Sequence, residues 1–206
     1  MKRILFASCM LFCILIAVNA SADLFEFDLT DPNTALSPYA EPYASVGINR
    51  TSTTTAIITV DAFSGFLIGG AQAFDLNTNG SVSLSALSWT GGNAHTAYSV
   101  GGSNNVSSFG SFNFTLDAFD GYKSAVSQLT FTLTGSGWGT AADVLTPNSD
   151  GYVGAGHIFV IGAPGAGALA TGFAANGNSA SVPEPATLLL LGSGLLGLFG
   201  FRRFKK

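Results

Sequence analysis

Through the middle of the chain, apolar and polar residues alternate with a period of two. Phe112, Phe114, Leu116 and Ala118 alternate with Asn113, Thr115 and Asp117. Leu129, Phe131 and Leu133 alternate with Thr130, Thr132 and Thr134, and Val82, Leu84 and Ala86 alternate with serines. Successive side chains of a pleated strand point to opposite faces, so each such segment has one apolar and one polar face. The 3.6-residue period of a helix is nearly absent; only 140–145 has room for a single turn. Further strands are expected over 24–29, 43–48, 54–63, 71–76, 95–100 and 152–161, separated by clusters of Gly, Asn, Asp and Ser. These elements predict an all-β fold, an antiparallel β-sandwich of jelly-roll or immunoglobulin-like type with Thr-rich faces outward and Phe-rich faces inward. No repeat beyond the shared alternation points to a solenoid.

Charge excludes further classes. Only 10% of the 206 residues are charged, against about a quarter in ordinary soluble domains. Of the eight Lys and Arg, only Arg50 and Lys123 lie between the ends of the chain. Residues 23–182 carry eleven carboxylates against those two cations, a net charge of −9. Nucleic acid is therefore not an expected partner, because binding through counterion release needs a cationic surface.

The two ends read as addresses. Lys2 and Arg3 precede an apolar run over 4–18 that ends in Ala20, Ser21 and Ala22, a small-residue pattern suited to signal peptidase. Residues 1–22 are thus expected to be a signal peptide, and the mature chain to begin at Asp23. Both cysteines, Cys9 and Cys13, fall inside that segment, so the mature protein has neither a disulfide nor a thiolate metal site. At the other end, Pro183, Glu184 and Pro185 precede an apolar stretch over 186–201, closed by Arg202, Arg203, Lys205 and Lys206. Those sixteen residues rise about 24 Å as a helix, a little short of a hydrocarbon core of about 30 Å. The basic end closes the gap by snorkelling and stays cytoplasmic by the positive-inside rule. A single C-terminal transmembrane helix is the expectation.

This order of parts resembles the PEP-CTERM sorting signal over about 25 residues. The resemblance implies a bacterial envelope protein, in a Gram-negative cell, whose partner is an exosortase, a membrane-embedded cysteine protease of transpeptidase type. It implies transient anchoring in the inner membrane, loss of the tail, and transfer to the cell surface or extracellular matrix. Residues 109–160 are also similar to ectodomains that accompany this signal, a likeness that implies no activity.

Between the two signals, the expected organisation is a domain over 23–161 and a linker over 162–181 rich in Gly, Ala, Ser and Asn. Twenty residues of that composition span about 25 Å root-mean-square. Within the domain, Asp75, Asn77, Asn79 and Gly80 match the first half of a calcium loop, but Ala86 stands where an EF-hand needs a bidentate Glu, and the flanks alternate like strands. Asn79-Gly80 is also a favoured hairpin turn, and the turn is the preferred reading over a metal site. His95 and His157 have no ligand spacing between them. No Gly-x-Ser-x-Gly elbow is present, and Glu26 and Glu41, the domain's two glutamates, suggest no glycosidase pair. A non-enzymatic domain without cofactor is expected. Trp89 and Trp138, with Tyr98, Tyr122 and Tyr152, lie near strand ends beside Gly-rich loops, where aromatic rings either fill a core or present a platform to sugars such as an exopolysaccharide. A carbohydrate-binding module is thus the alternative to a structural envelope protein.

Overall fold

The computed structural model describes residues 23–93, 99–117 and 121–176. Within them the chain forms thirteen strands, β1 (Asp23–Pro32), β2 (Ala44–Ser52), β3 (Thr55–Ala62), β4 (Phe66–Ile68), β5 (Phe74–Leu76), β6 (Ser83–Thr90), β7 (Ser99–Gly101), β8 (Asn104–Val106), β9 (Gly110–Phe112), β10 (Phe114–Asp117), β11 (Gln128–Thr134), β12 (Gly154–Val160) and β13 (Ala170–Asn176). Helix among the described residues is confined to two 3₁₀ turns, Tyr122–Ser124 and Ala142–Val144. The second falls within 140–145, where the sequence had room for one turn. The signal peptide with its Ala20 and Ala22, the Pro-Glu-Pro motif, the apolar tail, His95 and Tyr98 lie outside the described residues. Among those described, no helix is long and apolar enough to cross a membrane.

Every strand pairing in this region is antiparallel. Eleven strands make one sheet, in the order β6-β11-β3-β2-β1-β13-β12-β5-β10-β7 with β4 beside β12, while β8 and β9 form a separate hairpin. The all-β expectation therefore holds, but two separate sheets of jelly-roll or immunoglobulin type do not form. The two halves that would have been the leaves of a sandwich are joined by the pairing of β1 with β13.

The continuous sheet bends back on itself. Phe131 of β11 lies near one end of the strand order, yet its ring packs on Phe114 of β10 at 6.0 Å and on Phe74 of β5 at 6.3 Å, near the other end. Mutual backbone hydrogen bonds between Ile68 and Val126, both 2.8 Å, and a bridge between Thr78 and Leu145 tie the halves again, so the sheet is nearly closed. One core fills it, built from the inward faces of almost every strand: Val46 and Ile48, Ile58 and Val60, Leu129, Phe131 and Leu133, Leu116, and Ile158. Alternation is strict in β11, whose Leu129, Phe131 and Leu133 are fully buried while Thr134 is exposed.

The half built from β13, β12 and β5 is covered on its outer face too. Val106, Phe109 and Phe112 of the β8–β9 hairpin pack on Ala155 and Ala175, and Tyr122 and Ala125 pack with Phe159 and Leu67. β12 is accordingly buried along nearly its whole length.

The linker expectation over 162–181 needs correction, and with it the end of the domain at 161. Ala170–Asn176 is β13, a central strand between β1 and β12. Its small residues record crowding, not flexibility. A Cβ on Gly172 would lie 2.4 Å from Asn33 Oδ1 and 3.0 Å from Leu36 Cγ, so a larger residue there would displace the loop after β1. Asn176 closes the strand by accepting the backbone N–H groups of Val153 at 2.8 Å and Gly154 at 3.0 Å.

Candidate functional site

Asp75 lies in β5 between Phe74 and Leu76. Those two side chains face the core, so the pleat turns Asp75 to the outer face. There it stands between Thr115 of β10 and Ala155 of β12, its cross-strand neighbours, and all three are fully buried. Thr115 donates its hydroxyl to Asp75 Oδ1 at 2.6 Å, and Oδ2 has no hydrogen-bond partner among the described residues. Burial pushes the carboxyl up to about 7, the Thr115 hydrogen bond opposes the rise, and the charge of Asp117 adds to it.

The other members of the calcium-like motif are engaged elsewhere. Asn77 donates its Nδ2 to the carbonyl of Thr146 at 2.9 Å. Thr78 gives its N–H and hydroxyl to Asn113 Oδ1, at 2.7 and 2.9 Å, and accepts Asn113 Nδ2 at 2.8 Å. Asn79 and Gly80 are exposed and Gly80 has φ of +85°, the left-handed backbone that suits glycine. This bend is not a hairpin turn, since β5 pairs with β10 and β12 whereas β6 pairs with β11; it carries the chain from one half of the sheet to the other. Among the described residues no group of three or more His, Cys, Asp or Glu is placed to hold a metal ion.

His157 sits on the outer face of β12, its ring stacked between Phe173 at 4.5 Å and Phe159 at 4.9 Å. Nδ1 is 2.9 Å from the carbonyl of Ala71, which only accepts, so Nδ1 carries the proton and Nε2 accepts the Thr171 hydroxyl at 2.7 Å. Burial lowers its pKa against the opposing bond to Ala71, which favours the neutral ring. Both nitrogens are thus spent on the fold.

The aromatic candidates do not assemble on one exposed face. Trp138 is fully buried in the core. Trp89 stands opposite Leu129 across the β6–β11 pair, which places it on the inward side of the edge strand, partly exposed. Tyr152 donates its hydroxyl to Asp31 Oδ2 at 2.6 Å, an interaction that raises the phenol to about 12, and its ring packs edge-on against Phe109. Tyr122 lies against Phe159.

Asp23, the residue at which the mature chain is expected to begin, is the first residue of β1 and works in the structure. Its Oδ2 pairs with Arg50 Nε, and its Oδ1 accepts the N–H of Ala141 at 2.8 Å, while Arg50 Nη1 reaches the carbonyl of Trp138 at 3.4 Å. Sequence reasoning missed this clamp, although the scarcity of cations signals that Arg50 has a particular task. It missed the burial of Asp75 as well. The alternation puts that side chain opposite the core, but spacing shows neither that Thr115 and Ala155 flank it nor that the β8–β9 hairpin packs on neighbouring Ala155.

No curated protein matches the chain, and neither does any solved structure. Residues 181–203 match the family model described as the PEP-CTERM protein-sorting motif, a span that takes in Pro183, Glu184 and Pro185, the apolar stretch, and Arg202 and Arg203. The chain is thus a β-rich domain followed by a PEP-CTERM sorting motif, the signature of a PEP-CTERM protein.

Proposed function

We propose that this is a non-enzymatic envelope or extracellular-matrix protein that reaches the cell surface as an exosortase substrate. Signal peptidase removes residues 1–22, the apolar stretch 186–201 holds the chain in the inner membrane, and an exosortase then cuts near Pro183, Glu184 and Pro185. The observation that carries this reading is the family match over 181–203. Physical chemistry supports it. Each proline fixes its own φ and pushes the preceding residue out of the helical region, which favours an extended segment that a protease can grip. Because β13 runs to Asn176, only six residues separate the sheet from Pro183.

The non-enzymatic part of the proposal draws on how the domain spends its polar side chains. Asp31 is taken by Tyr152, Asp61 by Gln128, Asp117 by the N–H of Gln72, Asp143 by the N–H of Thr140, and His157 by Ala71 and Thr171. Intact-mass measurement of the envelope form tests the sorting. The mature protein is expected to lack 186–206, and a variant with Pro183, Glu184 and Pro185 replaced by alanine is expected to accumulate with its tail in the inner membrane. Recovery of the Arg202–Lys206 terminus from wild-type surface material would refute the proposal.

A further inference from the structure

The outer face of the second half-sheet holds a buried acid beside residues that a thin cover hides. Asp75, Thr115 and Ala155 lie in one cross-strand row, fully buried, and Ala155 packs under Val106, Phe109 and Phe112. The cover is the β8–β9 hairpin, two strands of three residues each that pair only with one another. A hairpin that small has little stability of its own. It is held by its three apolar side chains, by Gln72 Nε2 donating to the carbonyl of Asn105 at 3.3 Å, and by Asn148 Nδ2 donating to that of Phe109 at 2.8 Å. Next to Ala155 in that row, Asp75 Oδ2 has no hydrogen-bond partner among the described residues.

Among the described residues, the groups that face Asp75 do not compensate a negative charge. From β10 come the neutral hydroxyl of Thr115 and the carboxylate of Asp117, and β12 offers His157, two residues from Ala155, whose pKa burial lowers and whose two ring nitrogens are both hydrogen-bonded. β7 and the hairpin contribute no titratable residue, and Asp150, near Gly110, is another acid. Asp31, in the same outer row beyond Ala175, is bonded to Tyr152. Arg50 is paired with Asp23, and Lys123 belongs to the turn Tyr122–Ser124. A carboxylate in such a place lacks the partner that would offset its desolvation.

We infer that the β8–β9 hairpin is a pH-gated cover, closed over protonated Asp75 and loosened from the sheet when that side chain ionises. The step is a simple ionisation: the carboxylic acid gives its proton to water, and the resulting carboxylate draws water to itself by lifting the hairpin. Its direction follows from linkage. The closed-state pKa, about 7, exceeds the usual carboxylate value of about 3.9. The stabilisation of the closed form is therefore fully present below about pH 4, falls as pH rises, and is lost above about pH 7. Opening exposes the strip formed by Ala155, Ala175 and Phe173.

Hydrogen exchange by mass spectrometry on the full chain in detergent tests this, with rates converted to protection factors to remove the intrinsic pH dependence. Between pH 5 and 7 protection over 104–112 is expected to fall about tenfold per pH unit, the slope for one proton, while β1, β2 and β3 keep theirs. Asp75→Asn, which retains an acceptor for Thr115, should hold protection constant across that range. Thr115→Val removes the hydrogen bond that opposes the rise, so with the series carried on to about pH 8 the loss of protection should continue above the pH at which it levels off in wild type, a readout that survives even if Asp75→Asn does not fold. Protection over 104–112 that is independent of pH, a loss shared equally by β1 to β3, or a transition that Thr115→Val leaves in place would overturn the inference.

Discussion

The indole of Trp138 lies against Gly135, where a Cβ would come within 2.4 Å of Cζ2, so only glycine lets the ring in. The backbone carbonyl of Trp138 is held by Arg50 and its backbone N–H by the carbonyl of Thr53 at 3.1 Å, which makes the loop around it a lid on the core and not a platform for a ligand. Trp138→Ala is accordingly expected to cost about 3–5 kcal/mol, the usual price of emptying a buried tryptophan site. Urea unfolding of the variant checks this. A stability within about 1 kcal/mol of wild type would mean that the ring is not part of the core. From the sequence, a tryptophan between glycines fits both a core and a sugar platform; the contact with Gly135 decides between them, and contacts of that kind leave no trace in spacing.

At the level of single elements, the alternation located most strands and failed where its phase changed. Val82, Leu84 and Ala86 read as one inward set, yet β6 slips its register against β11 between Ser85 and Ser88, and Ala86 adopts φ of +52°. Leu87, not Ala86, is the next residue packed against the core. A non-glycine residue in that left-handed region costs about 1–2 kcal/mol, part of which glycine's greater freedom in the unfolded chain would offset. Ala86→Gly should therefore raise stability by about 0.5–1 kcal/mol in thermal unfolding; a loss of stability would show that the bulge is not strained. β13 escaped the sequence for a different reason. In its Ala-Thr-Gly-Phe-Ala-Ala-Asn only Gly172, Ala174 and Ala175 are buried, and these small residues, fitted to close packing, give the strand the composition of a flexible linker. The three-residue strands β4, β8 and β9 are shorter than any periodicity can reveal.

The long ladder of the sheet runs through one junction. Among the described strands β13 alone hydrogen-bonds to both β1 and β12, whereas the other ties between the halves, Ile68 with Val126 and Thr78 with Leu145, are isolated bridges. A fragment ending at Ile161, where the sequence alone would place the end of the domain, should leave the edges of β1 and β12 bare and aggregate. A fragment that runs on to Asn176 should unfold cooperatively, with a β-type circular dichroism spectrum. Calorimetry on the pair tests the point, and cooperative unfolding of the shorter fragment would show that the halves do not need β13. The same junction sets a schedule for export. Among the thirteen strands the joining one is the last to be synthesised and the last to pass through a translocation channel. Until it emerges, the ladder between β1 and β12 stays open, so its closure belongs to the far side of the membrane, with the strand that completes it emerging a few residues ahead of the sorting motif.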